Sequence, residues 1–112
     1  MSSVNQIVGG KFQDSLGNVA ANGTIEFELS QDCTVNTSTL VCGGRKMTIS
    51  LNSSGSIPSS PTYSVWNNDQ LTPSTSFYLV RVYSAQGQLI WGPNAVQVLS
   101  TTSPFDIGAW IP

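Results

Sequence analysis

A period of two is the strongest constraint on this chain. Along residues 24–30, Ile25, Phe27 and Leu29 alternate with Thr24, Glu26, Glu28 and Ser30. Successive side chains of a strand point to opposite faces, so this pattern buries one face and leaves the other in water. Residues 45–51 repeat it, with Met47, Ile49 and Leu51 set against Lys46, Thr48 and Ser50. Residues 76–91 predict a β-hairpin, because aromatic and β-branched side chains fill both arms and Ser84-Ala85-Gln86-Gly87 supplies the turn. Tyr78, Val80 and Val82 share one face of its first arm; Phe77, Leu79, Arg81 and Tyr83 share the other. A strand apolar on both faces is expected at the centre of a sheet and covered on both sides. No run sustains the 3.6-residue period of a helix.

Turn chemistry divides what remains. A first strand is expected over residues 4–13, interrupted at Gly9-Gly10, where paired glycines mark a bulge or a close backbone approach. Residues 14–18, 52–56 and 92–94 are turn clusters, and 95–99 is a short strand. Pro58 and Pro61 confine residues 57–68 to an edge strand or loop. About seven short strands, punctuated by turn signals, predict an all-β chain folded as a small antiparallel β-sandwich of immunoglobulin type. A small β-barrel is the alternative, since both read as short alternating strands. With 112 residues, one domain is expected. Residues 101–112 carry Phe105, Ile107, Trp110 and Ile111, which makes them too apolar for a free terminus. This tail is expected to pack on the body or to serve as an interface with a partner.

Only 9% of the residues are charged, against about a quarter in an average globular protein, and the polarity comes from Ser, Thr, Asn, Gln and Gly instead. Lys11, Arg45, Lys46 and Arg81 are the only cations, and the net charge is −2. Nucleic-acid binding needs a basic footprint to displace counterions, and an anionic membrane surface needs the same, so neither is an expected partner. No stretch is apolar for the length a membrane helix needs, and the first ten residues have neither the basic nor the apolar region of a signal peptide.

The chain has no histidine, which rules out Ser-His-Asp and Cys-His arrangements. Glu26 and Glu28, two apart on one strand face, are expected to serve solubility and edge protection. No nucleotide-binding glycine motif occurs, and no cofactor or metal is expected, because two cysteines without histidine leave too few ligands. Enzymatic activity is not expected. Cys33 and Cys42 flank a hairpin-sized segment, and two readings stay open: a disulfide across the arms, worth roughly 2–3 kcal/mol by loop entropy, or two free thiols. Trp66, Asn67, Asn68, Asp69 and Gln70 put an aromatic ring beside amides and a carboxylate. Such groups suit a carbohydrate, the ring against a C–H face and the polar groups on hydroxyls. The other reading makes Trp66 a core residue and the polar run a turn.

Residues 10–18 (GKFQDSLGN) and 21–29 (ANGTIEFEL) resemble the opening of small prealbumin-like or carboxypeptidase-regulatory-like β-sandwich domains. Residues 66–73 (WNNDQLTP), 77–83 (FYLVRVY), 87–93 (GQLIWGP) and 105–112 (FDIGAWIP) are similar to modules of bacteriophage structural proteins, especially tail-fibre and adhesin-like ones. The resemblance implies a non-enzymatic virion module, assembled in the host cytoplasm. Its partners would be other virion proteins or further copies of itself, with a host-surface glycan as a further candidate. It implies no catalytic residue.

Overall fold

The computed structural model describes residues 4–35, 38–44, 46–101 and 104–109. Among these residues nine strands follow in chain order: β1 (Val4–Val8), β2 (Thr24–Leu29), β3 (Cys33–Val35), β4 (Thr39–Val41), β5 (Lys46–Ser50), β6 (Ser64–Trp66), β7 (Tyr78–Tyr83), β8 (Leu89–Val96) and β9 (Phe105–Asp106). Short 3-10 turns occupy Asn68–Gln70 and Ile107–Ala109. The strands form a four-stranded sheet, ordered β5-β2-β7-β8, a three-stranded sheet, β6-β1-β9, and a two-stranded hairpin, β3-β4. Every pair is antiparallel except β1 with β9. The sheets are open, so the fold is a small all-β sandwich and the barrel alternative falls.

The alternation read from the sequence sets the register. Ile25 pairs with Ile49 on one side and Val82 on the other, and Phe27 pairs with Met47 and Val80. This places one apolar row across the inner face of the four-stranded sheet. Ile7, Val65 and Phe105 supply the facing row from the second sheet. Tyr78 fastens the two layers. Its ring meets Phe27 edge-on, with centroids 5.9 Å apart, and its hydroxyl donates to the carbonyl of Trp66 on β6 at 2.8 Å. Burial pushes the Tyr78 phenol well above the ordinary range, with Cys33 adding to the effect and the Trp66 carbonyl bond opposing it.

Two expectations about the central hairpin need correction. The outer face of β7 is not covered: Leu79, Arg81 and Tyr83 are only half-buried. Arg81 occupies that face because Glu26 and Glu28 lie beside it on β2, their carboxylates 3.3 Å and 3.1 Å from its Nη1. Residues 92–94 are not a turn but the middle of β8. Pairing runs Val80 with Asn94, Val82 with Trp91 and Tyr83 with Leu89, so β8 carries extra residues at two places. Such bulges demand unusual backbone, and Gly92 supplies it at φ +96°; a Cβ there would strike the carbonyl of Val80. Pro93 is tolerated because β8 is an edge strand, where no partner needs its missing N–H.

The first strand also ends earlier than its apolar pattern implied. β1 stops at Val8, and Gly9 and Gly10 both take positive φ to pass close to residues 106–108 and Ser56. Among the described residues, no helix is long and apolar enough to cross a membrane.

Candidate functional site

The segment that resembled a sugar site is turned inward at its centre. Trp66 closes β6 and is half-buried against the core. Asn67 and Asn68 are 2% and 0% exposed. Asn67 Oδ1 accepts from Asn5 Nδ2 at 3.0 Å, and the same Asn5 nitrogen reaches the carbonyl of Leu99 at 3.2 Å. Asn68 Nδ2 donates to Ser76 Oγ at 3.2 Å, while its Oδ1 accepts from the backbone N–H of Val98 at 2.9 Å. The Asn68 backbone N–H completes the clasp by donating to the Val98 carbonyl at 2.7 Å. Asp69 is exposed, yet its carboxylate accepts from the Ser100 hydroxyl at 2.8 Å. Asn67 and Asn68 therefore cannot reach a sugar. Buried amides must be hydrogen-bonded, and here they tie β1, the 67–70 turn and residues 97–100 into one end of the sandwich.

The C-terminal residues expected as partner contacts divide in two. Phe105 and Ile107 are 6% and 3% exposed and belong to the core, because β9 pairs with β1 and seats them against it. Trp110 and Ile111 lie outside the described residues.

The cysteines are free, Cys33 buried and Cys42 exposed. Register explains the separation. Cys33 stands opposite Val41, so Cys42 lies one residue past that partner, on the other side of its strand. Instead of bonding Cys42, the Cys33 thiol lies 3.5 Å from the Gln31 carbonyl.

The carboxylates hold the fold together. Asp14 Oδ1 accepts from the N–H groups of Leu16 and Asn18, both at 2.9 Å. These bonds, that from Asn18 first, hold the Asp14 carboxyl below its ordinary range. Asp32 accepts from Gly43 N at 2.7 Å, and Asp106 from Gly108 N at 2.9 Å. Glu26 and Glu28 face Arg81, whose pKa is raised first by its hydrogen bond with Glu28. Among the described residues, no three His, Cys, Asp or Glu side chains gather as a metal site would require.

At the opposite end of the sandwich, two segments that read from the sequence as ordinary turns border a cleft. The 14–18 turn and the 84–88 turn flank a space of about 290 Å³, lined by Asp14, Asn18, Ser84, Gln86 and Gln88 over Val19, Ala20 and Ile90. Ile90 also lines a second cleft of about 120 Å³, together with Phe12, Gln13, Val82, Trp91, Ile107 and Gly108. Ile90 and Trp91 share this cleft although they are consecutive, because the β8 register slips between the partners of Val82 and Tyr83. The sequence hinted at only half of this. The 14–18 turn is legible from Asp14, Gly17 and Asn18 and the 84–88 turn from Gly87, but nothing in the sequence pattern places them side by side.

Fold and geometry together define a small β-sandwich with an amide-locked end and a cleft-bearing end. Comparisons of the chain with family models, with curated proteins and with solved structures find no match.

Proposed function

We propose that this chain is a non-enzymatic structural module acting by protein–protein contact, of the bacteriophage tail-fibre, adhesin or decoration type. The observation that carries the reading is how its acidic groups are used. All six carboxylates of the sequence make a local structural contact: Asp14 and Asp106 within their own turns, Asp32 to Gly43, Asp69 to Ser100, and Glu26 with Glu28 to Arg81. Asp14 borders a cleft, but the N–H bonds it accepts hold its carboxyl below the ordinary range, which ill suits a general acid or base near neutrality, and the chain has no histidine to serve in its place. The elongated body, 45 × 23 × 23 Å, suits a unit stacked in series with others. The phage assignment rests on the sequence resemblance. The natural partners are other virion proteins or further copies, with Trp110 and Ile111 as the aromatic and aliphatic candidates for the contact.

The test joins gene context to mass. Flanking reading frames that encode capsid, tail or assembly proteins support the phage reading, and a setting among metabolic genes overturns it. Native mass over a concentration series, alone and with the products of those neighbours, tests contact. Complexes that Trp110→Ser weakens are expected; a monomer under every condition refutes the contact reading.

A further inference from the structure

We infer that the cleft between the 14–18 and 84–88 turns is a binding site for a neutral sugar ring, and that the adjoining aromatic cleft takes the next ring of a chain. Its position differs from the 66–70 segment, and the inference stands independently of the phage assignment.

Four observations carry it. First, the lining has the right chemistry. Gln86 and Gln88 offer planar amides that accept from and donate to neighbouring hydroxyls on one ring, and beside them Asn18 Nδ2 donates to Asp14 Oδ2 at 3.3 Å, which turns the Asn18 Oδ1 and the carboxylate into further acceptors. Val19, Ala20 and Ile90 give the apolar patch that the C–H face of a pyranose needs. Second, among the described residues no Lys or Arg lines either cleft. A phosphate, sulfate or sialic acid would lose its water beside Asp14 with no cation in return, which argues for an uncharged ligand. Third, the size fits. About 290 Å³ lies at the lower limit of small-molecule pockets, room for one ring, and the run past Ile90 to Phe12 and Trp91 extends it. Fourth, both walls are rigid before any ligand arrives. The backbone of Asp14 pairs with that of Asn18 at 2.9 Å, and its carboxylate caps the same turn. In the facing turn, Ser84 N–H donates to the Gln88 carbonyl at 2.8 Å, and Gln88 N–H donates to Ser84 Oγ at 3.2 Å. Rigid walls reduce the entropy lost on binding.

The experiment uses the full chain on a printed array of neutral, sulfated and sialylated glycans. In parallel, the side-chain amide resonances of Gln86 and Gln88 are followed by NMR during titration with soluble glucose, galactose and N-acetylglucosamine oligosaccharides. The expected result is binding to neutral glycans, shifts of both amides, and at least about tenfold weaker binding in the Gln86→Ala/Gln88→Ala double variant. Trp66→Ala should bind as the wild type does. The NMR arm needs no variant to fold. Neutral glycans that bind neither on the array nor in solution overturn the proposal. So does binding that moves neither amide, binding that Trp66→Ala abolishes while the glutamine double variant keeps it, or a preference for the charged glycans.

Discussion

The two ends of the sandwich are built from the same kinds of residue and use them in opposite ways. At one end Asn5, Asn67, Asn68 and Ser76 are buried and bonded to one another or to backbone. At the other, Asn18, Gln86 and Gln88 stand exposed; Asn18 bonds to the Asp14 carboxylate, whereas the 84–88 turn is closed by backbone groups and the Ser84 hydroxyl without the glutamine amides. An amide that satisfies the fold is removed from ligand chemistry; an amide on a turn whose backbone is already satisfied remains available for it. The difference lies in burial, and residue type alone does not reveal it.

The sharpest break in this comparison comes from Asn68. Asn68→Ala strips the Val98 N–H and Ser76 hydroxyl of their partner in a place water does not reach. An orphaned buried donor together with a small cavity should cost about 2–4 kcal/mol. Urea unfolding checks this: the midpoint should fall with the slope unchanged. A loss below about 0.5 kcal/mol, the range of an ordinary surface change, would mean that the amide end is no lock.

Next in size is Tyr78→Phe. The ring and its edge-on contact with Phe27 stay, and only the hydroxyl that reaches the Trp66 carbonyl is lost. A loss of about 1–2 kcal/mol is expected in the same assay, because the part-buried Trp66 carbonyl loses this donor. No change would show that this hydroxyl contributes nothing to holding the two sheets together and that the neighbouring amides and apolar contacts suffice.

How much of this was readable beforehand follows the same division. The inner rows were legible, because Ile25, Phe27, Leu29, Ile49, Val80 and Val82 alternate cleanly and each ends up buried. The amide lock left one trace: Asn5 is two residues from Ile7 in β1, so period two puts it on the buried face. Asn67 and Asn68 left none, since a 3-10 turn inside a loop has no periodicity to betray burial. The Gly92-Pro93 pair spelled a turn by composition, and only the pairing with β7 makes it a bulge. The cysteine spacing suited a cross-link, but a one-residue offset in register puts the thiols on opposite sides. The cleft depends on the approach of residues some seventy positions apart in the chain, and local pattern carries no information about that.

A smaller effect, and one that depends on pH, is expected at the cleft end. The Asp14 carboxyl is held below its ordinary value of 3.8 by the N–H bonds it accepts. A folded pKa below the unfolded one means that the ionised form favours the fold. That contribution is complete above the unfolded value and is lost as pH falls through the folded one. The thermal midpoint of the wild type should therefore exceed that of Asp14→Asn near neutrality, and the gap should close as the solution is acidified past the carboxylate range. A gap that stays constant with pH would show that the charge does not matter to the turn.

The least effect on stability is expected from the Gln86→Ala/Gln88→Ala double variant. Both residues are exposed, and the bonds that close their turn join the backbone of Ser84, Gly87 and Gln88 and the Ser84 hydroxyl, groups the substitutions leave in place. The unfolding free energy should move by no more than about 0.5 kcal/mol. This near-zero value is as informative as the large one at Asn68. If removing two exposed glutamines weakens the fold as removing one buried asparagine does, then the amides at both ends are structural, and the contrast between a lock and an open cleft fails. If stability holds while binding of neutral sugars is lost, the glutamines do nothing for the fold and are present for what enters the cleft.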